Sequence, residues 1–165
     1  LKFVFNNKHS KKMRLNKLLF LPILILISLS SCKKESKVDQ AAADKKILLD
    51  YIAKDSLVVD STASGLYYSI IDSGSTVTPH LNSYLTIHYK GYYTSNAIFE
   101  QTSGEPVKGF LKQFIAGWQE GVPKIKKGGK IKLLIPSSLA YGKNGAGSIP
   151  ANTVLIFDVE LINVE

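Results

Sequence analysis

The chain has 165 residues, 45% of them apolar and 21% charged, a globular composition sized for one ordinary domain with some chain to spare. Its 21 Lys and Arg against 13 Asp and Glu give +8, which on its face invites nucleic acid or an acidic membrane surface. A single cysteine excludes an intrachain disulfide and a Cys-rich zinc site, and His9, His80 and His88 are too few and too scattered for a metal cluster.

The charge is not evenly spread. Residues 1–31 hold six bases (Lys2, Lys8, Lys11, Lys12, Arg14, Lys17) and no acid, leaving 15 bases and 13 acids, or +2, for the remainder. Leu18 to Ile27 is an apolar run of ten residues. As a helix it would cover about 15 Å, roughly half a bilayer core, so it has the length of a signal-peptide core and not of a transmembrane span. Leu29-Ser30-Ser31-Cys32 follows it and resembles the bacterial lipoprotein processing box. That resemblance implies cleavage before Cys32 and acylation of its sulfur and new amino group. Several acyl chains, at about 0.8 kcal/mol per buried CH₂, would anchor the chain stably. Met13 opens a complete n-region of its own and is an alternative start. An incidental thiol after an ordinary signal peptide is the competing reading of Cys32.

Residues 33–43 are polar and small and read as a tether. Asp44 to Asp55 carries Ile47, Leu48, Tyr51 and Ile52 at amphipathic spacing and predicts a short helix that docks on the domain. Leu66 to Ile71 predicts a strand ended by Asp72-Ser73-Gly74-Ser75. Tyr84 to Tyr93 alternates as a strand, with Leu85, Ile87 and Tyr89 on one side. Gln113 to Val122 is a short helix candidate. Lys130 to Ile135 predicts a strand stopped by Pro136, and Val154 to Ile162 a long last strand. Antiparallel strands with one short helix imply an α+β domain of about 100 residues.

The Gly-rich stretch Gly142 to Gly147 opens no helix, so a phosphate cradle is a weak reading. Lys124, Lys126, Lys127, Lys130 and Lys132 read as a solvated hairpin around Gly128-Gly129, or as a contact for acidic lipid or an acidic partner. Residues 64–165 balance nine bases against seven acids, which argues against nucleic acid. His88 reads as a surface or rim histidine, and no Ser or Cys nucleophile has a recognisably spaced base.

Five segments stand in order: Ile87-His88-Tyr89-Lys90-Gly91, Ile98-Phe99-Glu100, Phe114 to Gly121, Leu139-Ala140-Tyr141-Gly142, and Ile149 to Leu161. Together they resemble the FKBP-type peptidyl-prolyl cis-trans isomerase domain, over about residues 64–165. The resemblance implies a twisted antiparallel sheet wrapped around one short helix, with no cofactor. With the leader and the processing box, it divides the chain into a signal peptide (1–31), a lipidated Cys32 with tether and short helix (32–63), and the isomerase domain (64–165).

Carried over by motif, the resemblance makes Trp118 the floor of a proline pocket and Tyr89, Phe99 and Phe157 its walls. Phe114 and Ile115 border it, with the Ile115 N–H binding a substrate carbonyl. Tyr141 offers its hydroxyl to another carbonyl, Ile149 closes the rim, and Val107 stands where many members have a larger aromatic residue. Glu100 occupies the position of the family's usual Asp. The loop from Gly142 to Ile149 is shorter than in macrolide-binding members.

The implied substrates are proline-containing unfolded or extended polypeptides, met at a bacterial envelope membrane, and macrolides are the implied inhibitors. Two rivals stand beside the isomerase: a catalytically weak chaperone or binding module on the same fold, with Glu100 marking lost activity, and a structural envelope lipoprotein of unrelated β architecture.

Overall fold

The computed structural model describes residues 39–165. Cys32, the leader and most of the tether lie outside the described residues.

The first element, α1, is Gln40–Lys54. Asp39 caps it by accepting the Ala42 N–H at 3.3 Å, the alanines that follow favour helix, and Lys54 meets the negative end of the helix dipole. The helix therefore begins four residues before the expected Asp44 and takes in part of the predicted tether.

Seven strands follow: β1 (Asp60–Ser61), β2 (Tyr67–Asp72), β3 (Tyr84–Tyr92), β4 (Ile98–Gln101), β5 (Val107–Phe110), β6 (Lys130–Ile135) and β7 (Leu155–Val164). Every pairing is antiparallel, in the order β1-β2-β6-β7-β3-β4, with β5 also on β3. The nine residues of β3 serve two partners on one edge: Tyr84–Ile87 pairs β5, and Lys90–Tyr92 pairs β4.

Between β5 and β6 the chain forms a 3₁₀ turn (Leu111–Gln113), the helix α2 (Ala116–Gly121) and a second 3₁₀ turn (Val122–Lys124). The single helix expected over 113–122 is thus divided. Phe114 and Ile115 are extended, with ψ of 169° and 154°, and α2 starts only after them.

The sheet has an apolar layer on each side. On the α2 side, Ile131, Leu133 and Ile135 of β6 and Leu155, Phe157, Val159 and Leu161 of β7 pack with Trp118 and Val122. Gly117 allows α2 to lie this close, because a Cβ there would stand 2.6 Å from Ile135 Cγ2. On the other side, Leu48 and Tyr51 of α1 cover Tyr92, Leu134, Val154 and Ile156. The alternation of β6 and β7 feeds both layers.

The lysine run does not form a hairpin. Gly128 and Gly129 turn the chain from the second 3₁₀ turn into β6, where Lys130 opposes Glu160 with an ion pair of 3.2 Å. Lys132, opposite Asp158, donates to that carboxylate and to the Tyr92 hydroxyl. Lys124 lies over the Tyr68 ring at 4.6 Å. Much of the run is cross-strand pairing across the face away from α2.

Candidate active site

Trp118 sits in the first turns of α2 and is 3% exposed. Three rings meet its indole. Tyr89 stands edge-on at 5.2 Å and 85°, Phe157 edge-on at 5.4 Å and 89°, and Phe114 lies stacked at 5.0 Å and 18°. Phe99 extends the wall, edge-on to Phe157 at 5.6 Å. Edge-to-face and offset-stacked contacts are the favoured arrangements of aromatic quadrupoles, each contributing about 0.5–1.5 kcal/mol beyond area burial. The result is a preformed apolar cavity of about 200 Å³, lined by Tyr89, Gln113, Phe114, Ile115, Trp118, Tyr141 and Phe157.

The lining, with Phe99 and Glu100 beside it, comes from separate elements brought to one side of the sheet. Tyr89 is on β3, Phe99 and Glu100 on β4, Phe157 on β7, and Tyr141 follows the 3₁₀ turn Ser137–Leu139. Gly91 makes room for the walls: a Cβ there would stand 2.6 Å from Phe99 and 2.7 Å from Phe157. Gln119 secures the bordering segment, its Nε2 donating to the Phe114 carbonyl at 2.7 Å and the Lys112 carbonyl at 3.2 Å. Among the described residues, the Ile115 N–H and the Tyr141 hydroxyl make no hydrogen bond, and both residues line the cavity. The Trp118 Nε1–H is buried and unpaired.

Burial raises the Tyr89 and Tyr141 phenols above the ordinary phenol range, and the Glu100 carboxylate beside them adds to the effect. Both hydroxyls are therefore held protonated, as donors. Thr102 fixes Tyr89 from below. Its Oγ1 accepts the Tyr89 N–H and donates to the Tyr89 carbonyl, each at 3.2 Å. His88 is 3.0 Å from the same Oγ1 and takes no part in the cavity.

Ile149, 8% exposed, packs in the same core cluster at the end of the short 146–149 turn, which is closed by Ala146 and Ile149 backbone bonds of 3.0 and 2.8 Å. Tyr93 ties that turn to the wall, donating to the Ser148 carbonyl at 3.3 Å and packing on Phe99 at 5.2 Å. Of the expected set, Phe99, Glu100, Ile149 and Val107 do not line the cavity: Phe99 packs on Phe157, Ile149 in the core cluster, and Glu100 is exposed on β4. Val107 lies 38% exposed on β5 opposite Ile87. Gln113, Gln119, Tyr93 and Thr102 were not expected. Polar residues that work through backbone groups leave no pattern in a single sequence.

A model of the family described as FKBP-type peptidyl-prolyl cis-trans isomerase matches residues 75–162. The chain belongs to that family. The FKBP-type peptidyl-prolyl cis-trans isomerase FkpA of Escherichia coli (strain K12) is 39% identical over 137 residues, 79% of this chain and 50% of FkpA. The FkpA of Buchnera aphidicola (subsp. Schizaphis graminum) is 40% identical over 142 residues, 81% of this chain and 56% of its own. The chain thus spans about half the length of these curated relatives. The crystal structure of E. coli FkpA superposes with a TM-score of 0.69 at 40% identity, covering 76% of this chain and 61% of that one. A peptidyl-prolyl cis-trans isomerase from Pseudomonas syringae pv. tomato gives 0.67 at 31% identity, covering 76% and 93%. The FKBP-like α+β fold expected from the motif order is the fold observed.

Proposed function

We propose that this chain is a peptidyl-prolyl cis-trans isomerase that acts on Xaa-Pro bonds of unfolded or extended polypeptides and so assists their folding. The observation that carries the reading is the closure of Tyr89, Phe114 and Phe157 around the Trp118 indole, with the Tyr141 hydroxyl unpaired beside them.

The reaction needs no nucleophile, because no covalent bond is made or broken. Its barrier, about 18–20 kcal/mol, is the loss of amide resonance on rotation. Uncatalysed exchange takes tens of seconds or longer, slow enough to limit folding. The twisted amide is less polar than the planar one, so an apolar, water-poor cavity stabilises it over the ground state. In this reading the proline ring rests on Trp118 between Tyr89, Phe99 and Phe157. The Ile115 N–H and the Tyr141 hydroxyl each hold a carbonyl of the flanking peptide, so that the rotating bond is the part left free. Phe114 and Ile149 border the site, and Glu100 orders the two phenols. Macrolides are the inhibitors to test in the same cavity.

The reading places the domain at the bacterial envelope, held to a membrane by lipid on Cys32. The test of the anchor is Cys32→Ser, which should lose the lipid and accumulate as an unprocessed form. Retention in the membrane fraction, with processing unchanged, would overturn it.

A protease-coupled assay on Xaa-Pro peptides tests the activity. Catalysis above background, abolished by an inhibitor seated in the cavity, is expected. A folded protein with no catalysis, but with suppression of aggregation that survives Trp118→Ala, would favour the binding-module reading instead.

A further inference from the structure

α1 ends at Lys54, well before the family segment at 75–162, yet it reaches the turn that leads to Tyr141 and the turn that leads to Phe99. The first contact is a buried carboxylate. Asp44 is 1% exposed, and its Oδ2 accepts the Ser137 N–H at 2.8 Å and the Ser137 hydroxyl at 2.6 Å. Gln40 Nε2 donates to the other oxygen at 2.6 Å. Ser137, itself 1% exposed, opens the 3₁₀ turn that ends at Leu139, and Ala140 and then Tyr141 follow directly. The second contact is at the tip of the β3–β4 turn, where the Tyr51 hydroxyl donates to Asn96 Oδ1 at 3.3 Å. Asn96 holds a left-handed backbone, φ 67°, three residues before Phe99.

We infer that Asp44 is a positioning residue for Tyr141, a role that rests on the isomerase reading above. The three charge-assisted hydrogen bonds that offset the desolvation of this carboxylate also fix the groups that donate them. Here it holds the first N–H and the side chain of the turn whose far end presents the Tyr141 phenol. Ala140, the residue between turn and phenol, has ψ −117°, outside the helical and the extended regions, so the chain direction there depends on the turn being held. α1 thereby becomes part of the site without touching the cavity.

The test is a double-mutant cycle on the full chain: Asp44→Asn, Tyr141→Phe and the pair, read by kcat/KM on an Xaa-Pro peptide, beside amide exchange at Leu139 and Ala140. Asp44→Asn is expected to lower kcat/KM about fivefold alone and less than about twofold in the Tyr141→Phe background. Exchange at Ala140, whose N–H bonds to the Ser137 carbonyl at 3.1 Å, should quicken about tenfold or more. Ser137→Ala, which keeps the N–H contact and folds if Asp44→Asn does not, should show the same coupling at smaller size. Equal losses in both backgrounds, or unchanged exchange in a folded variant, would overturn the role. A wild-type chain without isomerase activity would sink the isomerase reading instead, and the exchange arm would still decide whether Asp44 holds the turn.

Discussion

The Phe114 ring lies 18° from parallel to the Trp118 indole, with the centroids 5.0 Å apart. It is the one stacked contact among three rings that touch the floor of the cavity; the others are edge-on. The stack forms because Phe114 and Ile115 stay extended and Gln119 grips the Phe114 carbonyl. Phe114→Ala should therefore widen the cavity and lower kcat/KM by up to about tenfold, the equivalent of one aromatic pair, with KM rising more than kcat falls. Steady-state kinetics on one Xaa-Pro peptide would check it.

Trp118 separates packing from polarity. Its side chain fills the floor, but its Nε1–H is buried without a partner. Trp118→Ala should lose about 3–5 kcal/mol, and Trp118→Phe should lose far less, because an aromatic ring stays and an unsatisfied donor leaves. Urea unfolding of both variants gives the comparison; equal losses would contradict it.

Phenols ordinarily titrate near about 10. Burial first, and the Glu100 charge second, raise Tyr141 above that value. The neutral phenol is thus favoured in the folded state. The stability it contributes is whole below about pH 10 and is lost as pH climbs from there through the raised value. Activity that uses the Tyr141 hydroxyl as a donor should accordingly hold its plateau past pH 10. In Glu100→Gln the alkaline fall should begin earlier than in the unsubstituted protein, because burial still favours the neutral phenol but the Glu100 charge no longer does. A kcat/KM profile from pH 7 to 11 by NMR exchange would read both.

Glu100→Asp addresses the departure from the family's usual residue. Shortening the side chain by one methylene withdraws the carboxylate toward β4 and changes its reach to the two phenols, whose protonation its charge favours. A gain in kcat/KM is expected, and an unchanged or lower value would show that Glu is the better fit here.

Gly91 offers a steric test. With Phe99 and Phe157 at 2.6 and 2.7 Å from where a Cβ would go, Gly91→Ala must displace a wall ring. A loss of about 1–3 kcal/mol is expected with activity falling alongside. Thermal unfolding would measure the first and the coupled assay the second.

Much of this was readable from residue order, and the limits have physical causes. β3, β6 and β7 announce themselves because one or both faces are buried and their side chains alternate or run apolar. β1, β4 and β5 do not, having two to four residues each and mostly exposed side chains. Tyr89, Phe114, Ile115, Trp118, Tyr141 and Phe157 were named by motif, and they share one cavity. Phe99, Glu100, Ile149 and Val107 were named by the same route and stand outside its lining: Phe99 packs on Phe157, and Val107 is 38% exposed on β5 opposite Ile87. Asp44 looked like an ordinary helix-start acid. Its partner is 93 residues away, and no local pattern could have supplied it.

The docking of α1 bears on what counts as a self-sufficient piece of this protein. A chain trimmed to residues 75–162 would lose α1, β1 and β2, baring Leu134, Val154 and Ile156 to water and leaving an edge of β6 open. Such a fragment would be prone to stick to copies of itself. The segment that the family model matches stops short of α1, the helix that braces Tyr141.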